Sequence, residues 1–159
     1  MYKFISIKNF FLIIAIVSII TLLGAVFIEY VLGIKPCKLC LYQRYPYVLS
    51  IFFCFFGYSQ YNKKIWLYLL SATFLFSLIL SFYHVGIENY IFPEFAGCSA
   101  DNLNIVDKQD LLNSLNNFIP NCKDVTYTIL GLSLATINVL ISGLILIISS
   151  ILIKNEKNR

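Results

Sequence analysis

Charged residues divide this chain into long apolar runs. Asn9–Ile28, Tyr45–Tyr61, Ile65–His84 and Val125–Ile153 contain no Asp, Glu, Lys or Arg. A membrane-spanning helix needs about 20 mostly apolar residues, so each run predicts one span, at about 10–28, 45–61, 65–84 and 128–152. The fourth run is longer than a bilayer is thick. It is expected to tilt, or to extend into water at its threonine-rich start, Thr126 and Thr128. The second is short, about 26 Å of helix at roughly 1.5 Å per residue. Its helix is expected to begin earlier, near Cys40 or Leu41, with Arg44 reaching to the headgroups. Pro46 would then lie in the first turns, where a missing N–H costs little. A start at Pro46 is the competing option. The first run is too long for the core of a signal peptide, and Phe27-Ile28-Glu29-Tyr30 offers no small-residue cleavage site, so it reads as a retained span.

The pattern predicts an all-α fold: a polytopic membrane protein of one domain, residues 1–159, built as a four-transmembrane-helix bundle. Composition agrees. The chain is 59% hydrophobic and 13% charged, with roughly half the charge of a soluble domain. This excludes a soluble globular domain and a disordered chain. The net charge of +4 is no argument for nucleic acid, because the basic residues form no stripe. They set sidedness instead. Lys3, Lys8, Lys63, Lys64, Lys154, Lys157 and Arg159 flank the N-terminus, the hairpin between spans two and three, and the C-terminus. The segment from Val85 to Asp124 carries Glu88, Glu94, Asp101, Asp107, Asp110 and Asp124 against Lys108 and Lys123. Both termini and the short hairpin are therefore expected in the cytoplasm, with outer loops 29–44 and 85–127 on the opposite side.

The second outer loop contains one further pattern. Leu111, Leu112, Leu115, Phe118 and Ile119 recur at helical spacing, Asp107 can cap the start and Pro120 ends the run. With no soluble core to face, this stripe predicts a short amphipathic helix lying on the membrane surface.

Four of the five cysteines fall in the outer loops, where disulfides persist. Cys54 falls inside the second span and reads as a small buried apolar residue. Cys37-Lys38-Leu39-Cys40 has a spacing that suits a dithiol–disulfide switch, half a zinc site or a structural bridge. A zinc ion needs two more ligands, and the only histidine, His84, ends a different span, so redox chemistry is favoured and no metal is expected. A helix start and nearby cations lower a thiol's pKa. Cys40 lies at the start of span two, Arg44 follows four residues on, and Lys38 adds charge. Cys98 and Cys122 bracket the acidic loop. Gly97 and Asn121 beside them suggest exposed sulfurs, serving either as a structural staple or as a second redox pair.

With these residues in view, the chain resembles the disulfide bond formation protein B (DsbB) family. The resemblance rests on four spans, on Cys37-Lys38-Leu39-Cys40-Leu41-Tyr42-Gln43-Arg44-Tyr45-Pro46-Tyr47 opening span two, and on a second outer cysteine pair. The Cys-x-Leu-Cys-x-Tyr-Gln-Arg run is specific, whereas a bare Cys-x-x-Cys is not. The resemblance implies a quinone-dependent thiol oxidase of the bacterial inner membrane that supports disulfide bond formation in exported proteins. It implies two redox-active disulfides, Cys37–Cys40 and Cys98–Cys122. The loop pair would take electrons from a periplasmic thioredoxin-fold dithiol oxidase. The membrane-edge pair would pass them to ubiquinone or menaquinone, with Cys40, Arg44 and His84 around the quinone. Two rivals differ in kind. Vitamin K epoxide reductase-type proteins place their reactive Cys-x-x-Cys on a later span. A membrane scaffold or metal-binding protein would use the cysteines for structure alone.

Overall fold

The computed structural model describes residues 6–59, 63–94, 120–125 and 127–157. Apolar runs too long for one face of a soluble helix become helices that are greasy all round. These are α1 (Ile7–Tyr30), a short α2 (Lys38–Tyr42), α3 (Arg44–Ser59), α4 (Lys63–Glu88) and α5 (Leu134–Lys157). Four stretches are long and apolar enough to cross a membrane: Ile7–Tyr30, Lys38–Ser59, Lys64–Glu88 and Leu134–Asn155. Outward-facing Leu23, Phe55, Phe76 and Leu144 are exposed, as lipid contact requires.

The second span combines the two expected starts. A helix begins at Lys38, stops at Tyr42, and resumes at Arg44. Pro46 explains the break, because a proline ring collides with the carbonyl four residues back, here that of Tyr42. The fourth span starts at Leu134, whereas the apolar run predicts a start near 128. Thr128–Ile129 (β1) and Leu132–Ser133 (β2) pair as a hairpin instead. Leu130 and Gly131 both have positive φ at its tip, 54° and 80°, as a tight two-residue turn requires. Ser133 then caps α5, its Oγ accepting from the Thr136 N–H at 3.1 Å. The amphipathic stripe Leu111–Ile119 lies outside the described residues, as does Cys98.

Helix α4 packs most extensively on α5, α1 on α3, and α3 on α4. The core between them holds Phe10, Phe11, Ile14, Tyr47, Cys54, Leu67, Leu70, Phe74 and Ile145. Inside a bilayer the apolar core gains little over lipid, so close approach and interhelical hydrogen bonds hold helices together. Ser18 and Ser50 bond across α1 and α3 at 2.7 Å. Tyr47, Ser77 and Ser142 converge on Asn138 across α3, α4 and α5. Gly57 lets α3 approach the Phe11 ring so closely that an added Cβ would lie 2.7 Å from it. A second cluster, Cys37, Leu39, Ile87 and Cys122, closes one end of the bundle.

Phe11 is fully buried, so its ring must shift against packed neighbours to admit a Cβ at Gly57. Gly57→Ala is expected to destabilise the protein by about 1–3 kcal/mol. Gly143→Ala, whose added methyl meets nothing within 4 Å, is expected to be neutral or to gain up to ~1 kcal/mol. Thermal unfolding in detergent checks both, and equal midpoints for the two variants would contradict the α1–α3 contact.

Candidate functional site

The site begins where α1 ends. The chain turns at Gly33, with φ 69°, and runs extended through Pro36 to Cys37, the N-cap residue of α2. Hydroxyl and carboxylate side chains usually accept the free N–H groups of a helix start. Here the acceptor is a sulfur: the Cys40 N–H reaches Cys37 Sγ at 3.2 Å. The same turn of helix brings the two sulfurs to 2.8 Å of each other. Cys37 is buried and Cys40 half-buried. The bond from the Cys40 side chain lowers the Cys37 pKa most. Burial opposes it, and His84 and the Cys40 amide add to it, leaving the Cys37 thiol lowered from 9.0 to about 5. The free amide of the helix start thus serves Cys37 rather than Cys40. The sequence pointed to Cys40 and the charge of Arg44; the structure assigns the helix start to Cys37, because α2 begins earlier than expected.

His84 projects from α4 one turn before its end and is buried. Its Nε2 lies 3.7 Å from Cys37 Sγ and 3.9 Å from Glu88 Oε1. Glu88 is held from the far side by Ser133 of β2, whose Oγ donates to Oε2 at 2.6 Å. On the other side of the ring, Gln43 Nε2 meets Nδ1 at 2.9 Å. Cys122 is buried too. Its Sγ, Cys37 Sγ and a ring nitrogen of His84 all lie within 4.8 Å of one another.

Residues that chain order keeps far apart thus meet at one point. The remoteness of His84 and the loop cysteines from Cys37, which disfavoured a metal, does not hold in space. Their chemistry still differs from that of a metal site. Cys122 is disulfide-bonded, whereas the other described cysteines, Cys37, Cys40 and Cys54, are free thiols. A sulfur in a disulfide is an electrophile facing a neighbouring thiolate, not an anionic ligand.

Behind Cys40 opens a cavity of about 270 Å³ between α1, α3 and α5. Ile28, Ile137 and Ile141 form part of an apolar wall, into which Cys40, Arg44, Gln43, Tyr47 and Asn138 bring the polar groups. Arg44 Nη1 donates to Glu29 Oε2, which fixes the guanidinium at the mouth. Of the three residues assigned to a quinone, Cys40 and Arg44 line this cavity. His84 does not; it lies beside Cys37 and the loop sulfur.

The sequence alone assigns no role to Gln43, Asn138, Glu88, Ser133 or Glu29. One signal was available. Asn138 is the only carboxamide in the run Val125–Ile153, and a polar side chain at membrane depth is a functional marker. Nothing local tells Glu29 that its partner is Arg44.

Residues 7–152 match the family model described as Disulfide bond formation protein DsbB. The chain is similar to the uncharacterized protein RP370 of Rickettsia prowazekii, 32% identical over 92% of this chain and 88% of that one. It is 27% identical to disulfide bond formation protein B of Saccharophagus degradans, over 71% of this chain and 72% of the relative. Its identity to the protein of that name from Albidiferax ferrireducens is 25%, over 96% and 90%. The family match spans all four membrane helices and the loops between them. The chain belongs to the DsbB family, multi-pass membrane proteins of disulfide bond formation.

Proposed function

We propose that this protein is a membrane thiol:quinone oxidoreductase. It reoxidises a periplasmic thioredoxin-fold dithiol oxidase and passes the electrons to quinone in the inner membrane. The observation that carries this reading is a division of labour between neighbouring sulfurs: Cys37 faces the disulfide-bonded Cys122, and Cys40 faces the apolar cavity. The distribution of basic residues supports cytoplasmic termini and outward cysteine loops, in one membrane domain, residues 1–159.

A partner thiolate attacks the loop disulfide, and the partner's second thiol resolves the mixed disulfide. The partner leaves oxidised and the loop pair holds two electrons. Cys122 is buried against Ile87 and Cys37, which leaves Cys98 as the sulfur for a soluble partner to attack. The Cys122 thiolate then attacks Cys37 Sγ, the Cys37–Cys40 bond breaks, and Cys40 leaves as a thiolate on the cavity wall. Cys98 attacks the Cys122–Cys37 bond, which restores the loop disulfide and frees Cys37 as a thiolate.

The cavity suits a quinone headgroup. Its wall is mainly apolar and drawn from α1, α3 and α5, and Arg44, whose guanidinium has N–H groups beyond the one on Glu29, offers donors to a carbonyl oxygen. When bound, a quinone supplies an acceptor for two electrons and two protons, and closure of the Cys37–Cys40 bond balances them. A soluble acceptor fits less well. Dithiol oxidases of this class lie near about −120 mV and glutathione pools at roughly −180 mV or below, so that transfer is uphill by at least ~2.8 kcal/mol; the known periplasmic system, which drains to quinone, is the precedent.

Purified protein in detergent is expected to oxidise a reduced thioredoxin-fold protein only when quinone is present, and Cys37→Ser or Cys98→Ser should each abolish turnover. The Cys122→Ser variant should accumulate a mixed disulfide with the partner on a non-reducing gel; trapping by Cys98→Ser instead would reverse the assigned order. Arg44→His is expected to raise the KM for quinone roughly tenfold, about 1.4 kcal/mol of binding, with a smaller change in kcat. The lowered Cys37 pKa sets a pH dependence. Above about pH 5 this sulfur is a thiolate, and below it the sulfur is protonated and unreactive. Thiolate absorbance of the reduced protein should include a component that persists to about pH 5 and vanishes in Cys37→Ser. A component titrating only near the ordinary value of 9.0 would refute the assignment.

A further inference from the structure

One line of buried hydrogen bonds crosses α3, α4 and α5 and ends at the reactive sulfur. Tyr47 Oη donates to Asn138 Oδ1 at 2.6 Å, and Ser142 Oγ approaches the same oxygen at 3.2 Å. With its oxygen so engaged, Asn138 turns its nitrogen to Gln43, and Nδ2 donates to Oε1 at 3.0 Å. Gln43 in turn presents its nitrogen to His84 Nδ1 at 2.9 Å. A carboxamide nitrogen only donates, so Nδ1 accepts and holds no proton. The proton of the neutral ring is then on Nε2, which faces Cys37 Sγ and Glu88 Oε1. Both of these are acceptors, and one is a carboxylate. If both amides were reversed, a bare lone pair on Nε2 would face a thiolate and a carboxylate. Gln43, His84, Asn138 and Tyr47 are all buried, so water does not compensate for a wrong orientation.

We propose that Asn138 and Gln43 are positioning residues that hold His84 in its Nε2–H form, so that the ring donates to whichever of Cys37 and Cys122 carries the anion during exchange. This rests on the thiol-exchange reading above and adds to it a device on the fourth span, the helix most distant in sequence from Cys37. Protonation of the ring is not required. The ring has a nitrogen within 4.8 Å of both sulfurs and its Nε2 lies 3.7 Å from Cys37 Sγ, so a neutral N–H there can serve the charge as it passes between them. A hydrogen bond to an anion is worth about tenfold to a hundredfold in such a step.

His84 is the only histidine in the chain, so ¹⁵N-histidine labelling of the full-length protein reports a single ring. With the membrane-edge pair reduced, the spectrum is expected to show a bare Nδ1 and a protonated Nε2. Asn138→Asp keeps the shape but removes the Nδ2 donor. Gln43 should then turn its nitrogen to the new carboxylate and its oxygen to the ring, which moves the proton to Nδ1. Single-turnover exchange between the loop pair and Cys37, measured without quinone, should slow about tenfold or more. If the buried carboxylate prevents folding, Gln43→Leu serves instead and should abolish the single-tautomer pattern. A wild-type spectrum with Nδ1 protonated, or a pattern unchanged in the folded variant, overturns the proposal. The spectrum needs neither partner nor quinone. A protein that fails to oxidise thiols while its tautomer responds as described would refute only the oxidase reading.

Discussion

A buried sulfur anion survives at the edge of a bilayer only where hydrogen-bond donors converge on it. At Cys37 the Cys40 amide donates to the sulfur, the Cys40 sulfur lies 2.8 Å away, and the His84 ring faces it at 3.7 Å. Two of the three follow from a single local event, the start of α2 at this residue. A Cys-x-x-Cys segment in an extended loop would have no such amide aimed at its first sulfur. The third contact comes from another span, which ties the reactivity of the loop to the packing of α4.

The break after Tyr42 has a second consequence. Because Pro46 interrupts the helix, α2 carries Cys37 and Cys40 on a short separate element, while Arg44 and Tyr47 belong to α3. The first sulfur turns toward Ile87 and Cys122, and the second stays on the cavity wall. Adjacent sulfurs thereby serve two environments, one closed by packed side chains and one open to an apolar space. Arg44 stays at the mouth of that space through its pairing with Glu29.

Polar groups at membrane depth are expensive unless satisfied. In this bundle they are grouped rather than scattered. Tyr47, Ser77, Ser142, Asn138, Gln43 and His84 form one connected set. The set joins three helices whose apolar faces alone would prefer lipid and each other almost equally. The same bonds that hold α3, α4 and α5 together orient the ring beside the thiolate, so stability and chemistry share residues.

Much was legible before any fold was known. The four spans follow from apolar runs between charges, because transfer into a bilayer is close to a sum over local residues. The Cys-Lys-Leu-Cys-Leu-Tyr-Gln-Arg segment announced redox chemistry at a helix start, because its spacing is itself local. Local patterning misplaced the start of the fourth helix, where Leu130 and Gly131 accept left-handed backbone and spend six residues on a hairpin. Only tertiary structure decided that Cys37 packs against Cys122 while Cys40 lines the cavity, that His84 faces sulfurs instead of the cavity, and that Asn138 reaches Gln43. These are choices of partner between spans far apart in sequence. A hydrogen bond needs its two atoms within about 3 Å, and helix packing alone sets that distance.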